Sequence, residues 1–469
     1  MATGMSGSKA AFRPARSAAV LTLSLLGTAA VSAARALAAG TARVDEAPLP
    51  LPLRVALFLA FGAFAAVAAI VYLRAVAEAT EDQLPILCAG AVAIHLAAAL
   101  ALPLTSNDLF SNLAYGRMLV RGQNPYLVGP IALGEGDGTL AFVGRRWAGA
   151  PFAYGPLLAG LDALVGRAGS VLGAALAFKA AFLCCSLLGI AAAFRFCRSR
   201  YAGPQPARAF VLFAWCPLIA WELTAQAHND GMMVLALLLF VVAARSGRDF
   251  LALAFLTAAF YSKFAAAPVL GLFLVWQARR SLRRAAAMAA IVALVGVALF
   301  APFWAGSETL RGPLIAAGGG GYERATRSFI ALADLGAELI SKEARFWSYS
   351  ALSWAGRLLL LWLAVRFARR ARSLESVLTG SILWLGAYDV LATAWFHPWY
   401  ATWLVPLAVG IYDPGLRSLV ALYAALTLTQ YALPLEPATT VAIDVVVLIA
   451  AWRHLRQNRS AMAISAPLA

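Results

Sequence analysis

The chain has 469 residues, is 62% hydrophobic and only 13% charged, and has a mean hydropathy of +0.78. Those values exclude a soluble globular protein of this length and read as a polytopic membrane protein. The net charge of +16 does not point to nucleic acid, because the basic residues fall in short loops between apolar runs, where the positive-inside rule explains them. The five cysteines (Cys88, Cys184, Cys185, Cys197, Cys216) lie in or beside apolar runs without metal-ligand spacing and read as small core residues.

In chain order, apolar spans are predicted at 17–39, 52–73, 84–104, 170–194, 208–223, 229–244, 250–262, 264–278, 285–303, 349–366, 374–395, 399–411, 416–432 and 438–452. The expected fold is an all-α polytopic membrane protein with about fourteen transmembrane helices, some of them short half-helices, in a single transmembrane domain over 1–469. The first span could pass for a signal peptide, but its apolar centre reaches about residue 39 and reads as an uncleaved helix. The stretch 250–278 is ambiguous: one long helix, or a hairpin turning near Ser262-Lys263. Basic loops on both sides, "RSGRD" before and "RRSLRR" after, favour the hairpin, since only a reversal puts both on the same side. More than half of the 38 basic residues then lie on the inner face, and both termini are cytoplasmic. The half-helices reach only about 20 Å and need tilt, shelter or a water-filled cavity.

Two outer segments are long. The first, 105–169, contains "YGPLLAGLDALVG", too short to span and expected to lie at the interface. The second, 304–348, contains "GGGGYERATRS", expected to be a mobile lid or a plain connector.

With this topology the unusual polar residues collect on the outer face. Asp108 lies at the end of span three, with Asn107 before it. "AHNDGMM" supplies His228, Asn229 and Asp230, with Glu222 just beneath. Lys263 lies at the hairpin apex, and "WFHPWYATW" supplies His397, Trp399 and Tyr400, with Asp389 before them. Each has a plainer reading: Asn107 or Asp108, and Asn229 or Asp230, as helix caps, Lys263 as a snorkelling side chain, His397 as an ordinary turn residue. His95 and Asp444 read as satisfied interior residues. Ionisable groups at membrane depth nevertheless default to function, and four such clusters on one face argue together. A carboxylate at a low-dielectric boundary suits a general base. Lys263, His228, His397 and Arg117 or Arg121 can neutralise a phosphate, and the helix start near Gly231 can help. Tyr115, Tyr126, Tyr154, Trp399 and Tyr400 can face a sugar. A base, a phosphate site and aromatic rings at the outer surface suggest glycosyl transfer from a lipid-linked phosphosugar.

"NDLFSNLAYGRMLVRGQNPYLVGP", "PFAYGPL", "AHNDGMM", "YSKFAAAP" and "HPWYATWLVPLA", in that order over roughly 85–410, resemble the polyprenol-phosphate-mannose-dependent α-1,6-mannosyltransferases of the C-type glycosyltransferase superfamily. The resemblance implies that Asp108 is the catalytic base, that His228 and Lys263 are the motif histidine and outer lysine, and that a donor groove opens to the bilayer. Relatives often carry a small or apolar residue and alanine after "HND"; this chain has Gly231.

The expectation is an inverting glycosyltransferase of the plasma membrane that moves a hexose, most simply mannose, on the extracytoplasmic face. Its partners are a polyprenyl-phosphate sugar donor, a glycan or glycolipid acceptor and the bilayer. Asp108 is the base; Lys263, His228, Arg117 and His397 bind donor phosphate; Asn107, Tyr115, Tyr154, Asn229, Asp230, Trp399 and Tyr400 contact sugar or acceptor. No metal or cofactor is expected. The rival reading is a transporter or flippase of lipid-linked sugars, which favours polar groups near the midplane and a repeat between halves.

Overall fold

The computed structural model of the protein describes residues 12–39, 49–103, 106–200, 205–318, 325–432 and 437–464. Among them the chain is helical, with no strand beyond an isolated bridge between Thr326 and Trp395. The main helices are α1 (Pro14–Ala39), α2 (Leu51–Glu78), α3 (Leu84–Ala99), α4 (Asp108–Val120), α5 (Pro156–Val165), α6 (Val171–Arg200), α7 (Gln205–Ala214), α8 (Asp230–Arg245), α9 (Asp249–Ser262) and α10 (Ala267–Arg280). They continue as α11 (Leu282–Phe300), α12 (Phe329–Glu338), α13 (Lys342–Arg370), α14 (Leu374–Ala387), α15 (Leu404–Gly410), α16 (Pro414–Leu428) and α17 (Ala438–Ile464).

A helix lies at each predicted apolar position. Among the described residues, seven helices are long and apolar enough to cross a membrane: α1, α2, α3, α6, α7 with its extension, α11 and α13. The seven-residue α15 rises only about 10 Å at 1.5 Å per residue. α7 continues through Pro217–Ile219 into a π-helical segment, Ala220–Ala225, and this run is 94% buried within the protein. α7 is enclosed by α2, α3, α6, α15 and α16.

The 250–278 stretch reverses. α9 ends at Ser262, Lys263 is extended (φ −151°, ψ 125°), and α10 starts with Pro268 in its first turn. The far ends of the two helices meet, since Asp249 accepts from Arg280 (2.7 Å) and Arg284 (2.9 Å). The apex carrying Lys263 is docked on the first long segment, where the Gly155 N–H donates to the Ser262 carbonyl (3.1 Å). A Cβ at Gly155 would stand 1.9 Å from the Tyr261 carbonyl oxygen, so only glycine allows this approach.

Within that segment, α5 is the short helix expected at 154–166. It packs on α4 closely enough that a Cβ at Gly116 would stand 2.0 Å from the Asp162 carbonyl oxygen. In the second long segment, 319–324 lies outside the described residues, and with it the centre of the glycine-rich stretch. The chain after it is strapped to the 394–396 turn: the Thr326 N–H donates to the Ala394 carbonyl (2.9 Å) and the Phe396 N–H to the Thr326 carbonyl (3.2 Å).

Candidate active site

Turns at one end of the bundle surround a cavity of about 520 Å³. Asp108, Lys263 and His397 all line it. α4 supplies its wall by simple periodicity. Ser111 and Tyr115 lie one and two turns beyond Asp108, on the same helix face, and all three face the cavity. Arg117 is nine residues on, about two and a half turns, and faces away. Its guanidinium donates to Asp137 (2.8 Å), as does that of Arg121 (2.6 Å). Arg117 is thus removed from the phosphate candidates: it closes the 105–169 segment on itself.

The capping readings do not hold for the first pair. The Asn107 side chain makes no cap hydrogen bond, and Ser106 Oγ takes the Asp108 N–H (3.1 Å). The Asp108 carboxylate is left to the cavity wall, with His228 behind it. His228 Nδ1 is 3.5 Å from Asp108 Oδ2, and His228 Nε2 is 3.3 Å from Glu222 Oε2. His228 is 1% exposed and Glu222 is wholly buried. The indole of Trp399 stacks on both imidazoles, on His228 at 4.0 Å and on His397 at 4.1 Å. His228 therefore does not face the cavity as a phosphate ligand would; it backs the carboxylate.

Burial alone would raise the Asp108 carboxyl, but the adjoining His228, with His397 and Lys263 beyond it, reverses this and holds it below the ordinary carboxylate value. For His228, burial works against the charged form, and Asp108, Glu222 and Asp230 outweigh it, so its pKa is raised. His397 goes the other way: burial and then the Arg327 guanidinium hold it well below the usual imidazole value. Arg327 Nη1 is 3.4 Å from His397 Nδ1. Among the described residues, Ala227 (φ 52°) and Arg327 (φ 49°) are the non-glycine residues with positive φ. One precedes His228 and the other touches His397, so backbone strain concentrates at the site.

Lys263 is not a lone cation. Its Nζ donates to both oxygens of Asp230 (2.8 and 2.7 Å), and Asp230 also accepts from Trp403 Nε1. The rings of Tyr154, Trp403 and Tyr400 surround the ammonium at 5.2–5.6 Å, a cation–π enclosure. Asp230 is thus neither a helix cap nor a cavity residue. Asn229 is buried and does not line the cavity either. Asn107, Tyr115, Tyr154, Trp399 and Tyr400 do. Tyr126 is fully buried against Phe152, Phe300 and Phe303 and belongs to the core.

The structure adds three arginines to the cavity wall: Arg146, Arg327 and Arg357. Arg146 stacks on Trp395 at 5.3 Å. Arg357 lies near the middle of the 29-residue α13; a charge inside an apolar run was a visible signal. Arg327 gave no comparable signal, because only the Thr326–Trp395 bridge brings it to the site. Gly231, the departure after "HND", lies where a Cβ would come within 2.5 Å of the Phe182 ring.

A family model described as alpha-(1->6)-mannopyranosyltransferase, N-terminal domain, matches residues 15–280, more than half of the chain and the part that holds Asp108, His228 and Lys263. No curated protein and no solved structure matches it.

Proposed function

The chain belongs to the alpha-(1->6)-mannopyranosyltransferase family, and from that premise we propose that it moves mannose from a polyprenyl-phosphate donor to an acceptor hydroxyl on the extracytoplasmic face of the plasma membrane, with inversion. The observation that carries this reading is the charge of the cavity wall. Asp108 is its one acidic residue among those described, against Lys263, Arg146, Arg327 and Arg357. With Lys263 held by Asp230, the wall's further positive charge is that of the arginines. Guanidinium groups lining a cavity within an apolar bundle suit a lipid phosphate, bound by charge and by paired N–H donors.

In this reading the acceptor hydroxyl enters beside Asp108. Its oxygen attacks the anomeric carbon as its proton passes to the carboxylate. The bond from that carbon to the phosphate oxygen breaks, the electron pair leaves with the polyprenyl phosphate, and the arginines stabilise the charge that forms. Attack opposite the departing phosphate inverts the anomeric carbon. The rings of Tyr154 and Tyr400 offer the sugar apolar faces. A transporter would place its polar groups near the midplane, whereas Asp108, Lys263 and His397 stand at helix ends and turns, with Arg357 reaching the cavity from mid-helix.

The test uses the full-length protein in lipid nanodiscs with labelled mannosyl phosphoryl polyprenol, and separately with GDP-mannose, over a panel of mannan acceptors. Transfer from the lipid donor alone, with an α-linked product from a β-linked donor, is expected. Turnover of GDP-mannose, or passage of the lipid donor across the bilayer with no transfer, would overturn the reading.

A further inference from the structure

Glu222 is a buried acid that this mechanism leaves unused, and it stands beside His228. It sits on the π-helical segment after α7, and such segments recur at functional sites because they re-aim side chains. The segment is pinned: Thr224 Oγ1 meets His95 Nδ1 (2.8 Å) and Ser186 Oγ (2.7 Å). Glu222 Oε2 lies 3.3 Å from His228 Nε2, and Asp108 Oδ2 3.5 Å from His228 Nδ1: a row of charge contacts not yet aligned as hydrogen bonds. The Trp399 indole covers a face of the ring.

We propose that Glu222 is a positioning residue for sugar transfer: it fixes the His228 ring and shares one proton with it, so that the other ring N–H points at Asp108. The inference rests on Asp108 being the base. Proton counting supports it. Whether the shared proton rests on Nε2 or on the Glu222 carboxyl, Nδ1 carries a hydrogen toward Asp108, and the three groups together carry one negative charge. Without Glu222 a neutral His228 can take the other tautomer, which turns a lone pair toward the carboxylate. The ionisable neighbours of Glu222 are His228, Tyr431, Asp230 and Arg327.

The experiment measures kcat and donor KM across pH for the full-length enzyme in nanodiscs. Glu222→Leu is expected to lower kcat about tenfold or more, with donor KM within about twofold of wild type. Glu222→Gln retains an amide that donates to Nε2 and holds the same tautomer, so it keeps more of the rate. It has no proton to share, so it lacks the alkaline fall in kcat that follows in the wild type when the shared proton is lost and the ring hydrogen moves to Nε2 beside the Glu222 carboxylate. A merely structural glutamate would change yield and melting temperature but not the shape of the profile. Wild-type kcat in Glu222→Leu, or a Glu222→Gln profile superimposable on wild type, overturns the proposal. If Glu222→Leu does not accumulate, the Glu222→Gln profile decides alone. Asp108→Asn separates the two readings: if it turns over normally, both fall, whereas an inactive Asp108→Asn beside a fully active Glu222→Leu removes only the role of Glu222.

Discussion

Lys263 looks from the sequence like the donor's phosphate ligand, and its surroundings point to a different outcome on mutation. The Asp230 side chain has no exposure and the Lys263 side chain 13%, so the pair is largely withdrawn from water. Removing one member of such a pair costs about 3–5 kcal/mol, because the remaining charge is stranded. Lys263→Met should fall near about 3 kcal/mol, the lower end of that range, since Asp230 keeps its hydrogen bond from Trp403. Asp230→Asn should cost less, because the ammonium left behind still faces the cavity and three aromatic rings. The double variant strands no charge, and its stability should return to within about 1 kcal/mol of wild type, a coupling of about 2 kcal/mol or more. Denaturant unfolding in micelles, followed by tryptophan fluorescence, gives the stabilities, and donor KM is measured on the same preparations. The reasoning is refuted if Lys263→Met is as stable as wild type while donor KM rises tenfold, for then the lysine leaves Asp230 and holds the phosphate itself.

Asp108→Asn should fold and bind donor normally but turn over about 10²–10⁴ times more slowly, the usual loss when a general base is removed; single-turnover transfer in nanodiscs reads this directly. Arg327→Gln and Arg357→Gln should each raise donor KM about tenfold while leaving acceptor KM near wild type, since each removes one charge-assisted contact to phosphate; equal shifts in both constants would place those arginines elsewhere. The pH dependence of stability has opposite signs at the two ends of the Asp108–His228 contact. Asp108, depressed on folding, contributes above its ordinary value of 3.8, and this is lost as pH falls through its folded value. His228, raised on folding, contributes fully below 6.5, and this is lost as pH rises through its folded value. The stability advantage of wild type over His228→Asn should therefore be largest between those two ordinary values and shrink toward alkaline pH, as unfolding measured from pH 4 to 9 would show.

The helical positions were legible because run length and polarity fix them, and the reversal at Lys263 was legible from the arginines on either side of it. The meeting of Asp108, His228 and His397 followed from placing their turns on one face. Arg117 does not line the cavity, and its nine-residue offset from Asp108 already puts it on the opposite face of α4. Arg357 was overlooked within its span, where its charge alone deserved the same weight given to Lys263. Arg327 was beyond reach, since nothing near residue 326 announces a bridge to residue 395. The roles of His228 and Asp230 changed because sequence shows which residues share a turn and not which way each side chain leaves it. His95, read as a satisfied interior residue, meets Thr224 Oγ1 at 2.8 Å.

Several ionisable groups at or behind the cavity stand where regular helix is interrupted. Glu222 lies on one π segment, and Asp389 on another, Tyr388–Ala392. His228 follows a residue with positive φ, and Lys263 is itself extended between two helices. Each interruption frees backbone groups that lipid cannot satisfy, so it persists only inside protein or beside water. Lys179 shows how the chain meets that demand: its Nζ donates to the carbonyls of Ala101, ahead of Asp108, and Ala225, ahead of His228. One side chain thereby caps the two segments that deliver Asp108 and His228. The polarity that makes the site costly in a bilayer is the same polarity that holds its parts in register.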